Sequence, residues 1–209
     1  MQIFTDIEQN SPEWLQARAG IPTASQFATV LAKGKTPGSE SVTRRKYMLQ
    51  VAGEIITGER AEPTFSNDHT ERGHKLEPEA RDLYAFSTGA QLERVAFIRN
   101  GRAGCSPDSL IGDDGGAEIK TKLPHILAEL LLKGEFPPEH KAQVQGTLWV
   151  SKRQWWDIVC YWPKMPLFVK RVYRDEPYIQ RLATEVDRFN AEVDAVVAQI
   201  RRHGSAAAA

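Results

Sequence analysis

From Ser11 to Ser87 the apolar positions recur at helical spacing, beyond Gly89 the period shortens to two, and helical spacing returns after His125. Ser11 followed by Pro12-Glu13-Trp14-Leu15 predicts a helix start, because the serine hydroxyl accepts from a first-turn N–H and proline removes an N–H that would be orphaned there. That helix is expected to end near Gly20. Thr23-Ala24-Ser25 offers caps for a second, short helix carrying Phe27, Val30 and Leu31. Residues 33–39 read as a flexible basic loop. A helix follows with Tyr47, Met48, Val51, Ala52, Ile55 and Ile56 on its apolar face and Gly58 as its terminator. Residues 67–87 are helical again, with Leu76, Ala80, Leu83 and Tyr84 on one stripe; Pro78 inside this run predicts a kink or a late helix start.

Strands are expected at residues 91–98, 103–105, 108–111 and 117–120, then helices at 126–132 and from Pro138 through Trp149. Two further strands, 155–161 and 167–173, precede a long amphipathic helix over 178–202 whose stripe is Leu182, Val186, Phe189, Val193, Val197 and Ile200. Helices grouped around a run of strands give an α/β fold, with no internal repeat and no linker composition. At 209 residues the chain exceeds the usual single-domain length without offering two independent cores, so one elaborated domain over 1–203 is expected, with 204–209 a disordered or cloning-derived tail.

Composition narrows the function classes. With 41% hydrophobic and 26% charged residues the chain is a globular protein. It has no apolar run long enough for a membrane span and no signal-peptide pattern at its start, which predicts a cytoplasmic protein with no membrane partner. Cys105 and Cys160 cannot form a disulfide framework, are not in zinc-ligand spacing, and are expected to be buried. Lys plus Arg and Asp plus Glu number 27 each, so the net charge gives no global sign of nucleic-acid binding. Neither does it exclude it, since acidic metal ligands offset a locally basic groove.

The candidate chemistry lies in Cys105-Ser106-Pro107-Asp108 and Glu118-Ile119-Lys120, with Gly112-Asp113-Asp114-Gly115-Gly116 between them. A Gly/Asp turn joining two strands predicts a hairpin, and residues 118 and 120 project from the same face of its second strand. Asp108 then meets Glu118 and Lys120. Two converging carboxylates repel unless a divalent cation lies between them, and hard oxygen donors suit magnesium or manganese. Such an ion activates water and shields a leaving alkoxide, while the Lys120 ammonium orients the water or stabilises developing charge. Glu77, from Gly73-His74-Lys75-Leu76-Glu77, is the candidate for completing the shell or holding a second ion, with Glu79 as its competitor.

Pro107-Asp108 with Glu118-Ile119-Lys120 resembles the PD-(D/E)xK nuclease signature, in which the two acids bind metal and the lysine assists catalysis. Arg18 through Thr23-Ala24-Ser25, residues 73–81, Cys105-Ser106-Pro107-Asp108, and Ala142-Gln143-Val144-Gln145 with Trp149-Val150 resemble, in the same order, the phage lambda exonuclease family, over roughly residues 14–150. The resemblance implies a restriction-endonuclease-like core, a mixed central sheet flanked by helices. It implies a Mg2+-dependent enzyme, with one or two ions and Mn2+ as a substitute, that digests one strand of linear double-stranded DNA from 5′ to 3′ and leaves a 3′ overhang for strand annealing. It also implies a ring-shaped homotrimer and a single-strand annealing recombinase as partner. Metal ligands would be Asp108, Glu118, the Ile119 carbonyl and Glu77, and a terminal 5′ phosphate would rest on Arg18, Ser25, Ser106 and Gln143. A guanidinium fork with hydroxyl and amide donors suits a phosphate. Lys35 falls where the family places a DNA-contacting arginine; the cation is kept and the fork is lost.

Plainer readings stand beside these. A Glu-x-Lys pair also suits a solvated strand face, Arg18 an ordinary surface site, and Gln143 and Gln145 an ordinary helix. His69, His74, His125 and His140 lack ligand spacing and read as surface or structural residues; Trp155-Trp156 and Trp162 read as packing rather than base-stacking groups. Competing functions are a restriction or repair endonuclease of the same fold and a catalytically inert DNA-binding module. Relatives with an iron-sulfur cluster would require about four cysteine ligands, and the chain has 2 cysteines.

Overall fold

The computed structural model describes residues 1–36, 38–60 and 68–206; Pro37, the expected helix start at Asn67, the side chain of His69 and the last three residues of the expected tail lie outside that description. Helix α1 (Pro12–Arg18) begins as its sequence requires, with Ser11 accepting from the N–H of Trp14 at 3.2 Å. The short element after Thr23 starts as a 3-10 turn, Ala24–Gln26, and becomes α2 (Phe27–Val30); Thr23 makes no side-chain cap. Helix α3 (Val42–Thr57) is capped by Ser41 and closed by Gly58. Helix α4 (Asp68–Thr88) is continuous through Pro78, so the proline does not delay its start.

The expected strand over 91–98 is two strands. β2 (Leu92–Glu93) and β3 (Phe97–Asn100) belong to different sheets, with the buried pair Val95 and Ala96 carrying the chain from one to the other. A three-stranded antiparallel sheet has the order β1-β3-β4, where β1 is Gln2–Phe4 and β4 Ala103–Cys105. The larger sheet has five strands, β2-β5-β6-β7-β8, formed with β5 (Ser109–Ile111), β6 (Gly115–Thr121), β7 (Trp155–Tyr161) and β8 (Phe168–Tyr173). It is mixed: β6 runs parallel to β7 and the other pairs are antiparallel. The parallel step is bridged by α5 (Pro124–Lys133) and α6 (Lys141–Ser151), as such a crossover requires.

Strand alternation then sorts the side chains. Ala117, Ile119, Val159 and Tyr161 pack with Ala80 and Tyr84 of α4, on one face of the large sheet. Ile158 and Cys160, the register partners of Glu118 and Lys120, face the other way and pack with Leu127 of α5. The main core joins α3, α6 and α7 (Glu176–Ala206) around Phe27, Val51, Leu148, Trp156, Leu182 and Phe189. Helix α7 continues to Ala206, past its expected end. No helix of the described residues is long and apolar enough to cross a membrane.

Candidate active site

The β5–β6 hairpin pairs Ile111 with Gly115 and Ser109 with Ala117, which places Asp108 across from Glu118. Its turn depends on Gly112, at φ 54°, where a side chain would be strained. Arg153 holds the turn from outside, donating to the carbonyls of Gly112 at 2.6 Å and Gly115 at 2.8 Å. Gly116 lies against Trp156 so closely that a Cβ there would stand 2.3 Å from the indole. The absence of two side chains, one in the turn and one against the core, thus sets where the acidic ends of the hairpin meet.

At those ends Asp108 Oδ2 accepts from the N–H of Ile119 at 2.6 Å, and Lys120 Nζ donates to Glu118 Oε1 at 2.7 Å. The Gln143 amide of α6 donates to the same Glu118 oxygen. Glu118 is only 4% exposed, so its charge depends on these donors. Burial pushes the Asp108 carboxyl well above the usual carboxylate range, and the charges of Glu118 and then Glu77 push it further; Lys120 and the Ile119 N–H act against them. Burial works to lower the Lys120 amine, but the Glu118 and Asp108 carboxylates outweigh it and raise it, so Lys120 is a firm ammonium. It is equipped to orient and stabilise anionic oxygen rather than to remove a proton.

Glu77 reaches the site from α4, which covers the opposite face of the sheet, and it is paired with Arg81. The same guanidinium donates to the Asp108 carbonyl and to Ser109 Oγ, each at 3.3 Å, and so ties helix to hairpin. Glu79, the competitor, faces Tyr161, whose phenol is pushed up to about 12 by burial and then by its hydrogen bond to Glu79. Beside Glu77, Arg81 and Asp108 lies a cleft of about 470 Å³ whose wall also includes Gln9, His74 and Arg94.

The donor set suits a hard divalent cation, judged by its own strain. Asp108 and Glu118 supply carboxylate oxygens that have protein donors on one oxygen each among the described residues, Ile119 supplies a carbonyl, and the Asp108 carboxyl, raised first by burial and then by the Glu118 and Glu77 charges, is one that a bound cation would relieve. Among the described residues no three His, Cys, Asp or Glu groups already form a cage, because Glu118 turns to Lys120 and Gln143 while Glu77 turns to Arg81.

Arg18 and Ser106 do meet: the guanidinium donates to Ser106 Oγ at 2.5 Å and stacks 4.0 Å from the Trp14 ring centroid, and the Trp14 indole N–H donates to the same hydroxyl at 3.1 Å. At 8% exposed, Arg18 is no surface cation, and burial followed by the nearby Arg60 lowers it to about 10. Its buried Nε lacks a partner among the described residues. Ser25 is exposed, with its hydroxyl 3.3 Å from that of Thr23. Gln143, grouped by resemblance with the phosphate pocket, gives its amide to Glu118 instead. The two clusters still adjoin, since the Cys105 thiol, pushed up by burial, feels both Glu118 and Arg18. Lys35 is exposed and lines a separate groove between the basic loop and α7. Gln145 ties α6 to the start of α7, donating to the Tyr173 carbonyl at 2.9 Å and accepting from the Asp175 N–H at 2.8 Å. Cys105 and Cys160 are free and buried, and Trp156 is core.

Fold and site together define the class, a restriction-endonuclease-like domain with a PD-(D/E)xK arrangement at its hairpin. Residues 13–154 match the YqaJ-like viral recombinase domain, and the chain belongs to that family. It is similar to an alkaline exonuclease from Laribacter hongkongensis, solved alone and in complex with dAMP, at 33% identity and a TM-score of 0.83, covering 93% of this chain and 98% of that one. A phage related exonuclease from Haemophilus somnus 129PT shares the fold, with 14% identity and a TM-score of 0.65 over 86% of this chain and 96% of that one. No curated protein matches the chain.

Proposed function

We propose that the protein is a Mg2+-dependent exonuclease that digests one strand of linear double-stranded DNA from a 5′-phosphorylated end, leaving a 3′ overhang for recombination by strand annealing. The observation that carries this reading is the meeting of Asp108, Glu118 and Lys120 at the hairpin, next to a buried Arg18 bound to Ser106. Asp108, Glu118 and the Ile119 carbonyl would hold the ion, which when bound supplies an activated water and Lewis acidity toward the scissile phosphate. Lys120 places its ammonium beside that phosphate and stabilises the charge developing on it. Arg18 and Ser106 present a guanidinium and a hydroxyl to the terminal phosphate, with exposed Ser25 as a further donor. Gln143 holds Glu118 in position, and Lys35 contributes a cation for DNA from its own groove.

Membership in a recombinase-associated family and likeness to an alkaline exonuclease support the reading; the ring-shaped trimer and the annealing partner rest on family membership alone. The test is digestion of linear duplex DNA labelled at either end. Shortening from the 5′-phosphorylated end with Mg2+, none with EDTA, and intact closed circles are expected; cutting of closed circles would instead make the protein an endonuclease.

A further inference from the structure

The run Glu118-Ile119-Lys120-Thr121-Lys122 puts a second lysine on the face of β6 that carries Glu118 and Lys120. Lys122 stands one residue past the end of β6, and its N–H still pairs with the Tyr161 carbonyl at 3.1 Å, which fixes where its side chain starts. Its Nζ lies 2.9 Å from His140 Nε2 and 2.9 Å from Glu139 Oε1, at the entry to α6. Lys122 and His140 are largely enclosed, at 14% and 16% side-chain exposure, whereas Glu139 is 54% exposed.

Each partner has a distinct part. Burial, then Lys120 and Lys122, lowers His140 to about 4, so a neutral ring accepts from the ammonium and aims it. Helix α6 starts directly after His140 with no side-chain cap, and its positive end adds to the field. Glu139 is an exposed carboxylate in a screened ion pair, of the kind worth little. A stronger anion can displace it. Ser106 leads into β5 on one edge of β6 while Lys122 pairs with β7 on the other, so this cation and the Arg18 pocket flank Glu118 from different sides.

We infer that Lys122, aimed by His140, is a second phosphate seat that takes an internal backbone phosphodiester of the DNA, with the Glu139 carboxylate occupying the seat until DNA displaces it. The inference rests on the exonuclease reading for its ligand but is measured by binding alone. Fluorescence anisotropy with a labelled duplex in EDTA, across a range of salt, compares the wild type with Lys122→Ala, Lys122→Gln and Glu139→Gln on 5′-phosphorylated and 5′-hydroxyl ends. The lysine variants are expected to bind about 3 to 10 times more weakly and to lose about 0.9 from the salt slope, equally on both ends, as for one phosphate contact. Glu139→Gln is expected to bind more tightly. Unchanged affinity and slope in both lysine variants, or a loss confined to 5′-phosphorylated ends, overturns the inference. Digestion by the wild type with Mg2+ is scored separately, so a failed exonuclease reading shows as no turnover whatever the binding result.

Discussion

Asp108 and Ile119 are joined across the hairpin, the carboxylate accepting the backbone N–H at 2.6 Å, so a single residue pair carries one candidate ligand and anchors the residue whose own carbonyl is another. Asp108→Asn keeps an oxygen to accept this bond and removes the charge. Its folded-state carboxyl titrates above the unfolded value near 3.9, so folding takes up protons and metal-free stability falls as pH rises from about 4 through the folded pKa. In EDTA at pH 8 the variant is expected to melt a few degrees above the wild type, while its nuclease rate with Mg2+ falls at least about 100-fold. A lower melting temperature than the wild type would contradict the reading of Asp108 as a buried carboxylate disfavoured by desolvation and by its acidic neighbours.

Arg81 joins α4 to the hairpin. Arg81→Ala leaves Glu77 without its guanidinium and removes the helix's donors to Ser109 Oγ and the Asp108 carbonyl, which keep their bond to each other at 2.7 Å. Because Glu77 is partly solvated, the expected cost is about 1–2 kcal/mol rather than that of a fully buried pair. Urea unfolding checks this, and Arg81→Lys should recover only part of the loss because an ammonium cannot span all three acceptors.

Gly116→Ala drives a methyl into the Trp156 ring, which is fully buried and cannot swing aside. The expected destabilisation is about 1–3 kcal/mol by urea unfolding. Activity is expected to fall further than in an equally destabilised variant remote from the hairpin.

Local signals in the sequence reached far into this site. The Gly/Asp turn gave the hairpin its register, and strand alternation put Glu118 and Lys120 on one face, as found. What escaped was tertiary. Residues 91–98 carry a continuous strand-like pattern, yet Val95 and Ala96 are buried where the chain changes sheets, and no local signal marks such a switch. Strand β1 is three residues long, too short for a period to show. Arg81 and His140 look like surface residues in one dimension; their roles appear only when α4 and α6 close on the hairpin. Gln143 was legible as a site residue, but its choice of Glu118 over the Arg18 cluster depends on how α6 is rotated.

His140 supplies an acid limit. Burial, then the Lys120 and Lys122 charges, lower its folded pKa to about 4 from the ordinary histidine value of 6.5, so the unfolded chain binds the proton first and stability is lost as pH falls between those values. Replacing His140 with Gln is expected to remove a penalty on the order of 1–3 kcal/mol at pH 4. Urea midpoints for both proteins at pH 7 and pH 4.5 check it, the gap narrowing or reversing in favour of the variant at the lower pH.

Calorimetric titration of Mn2+ into the wild type, Asp108→Asn, Glu118→Gln and Lys120→Ala bears most directly on the site. Binding is expected in the wild type, lost or at least about tenfold weaker in the two acid variants, and retained in Lys120→Ala, which should still fail to turn over DNA. Equal Mn2+ affinity in the wild type and both acid variants would contradict the assignment of Asp108 and Glu118 as the metal ligands.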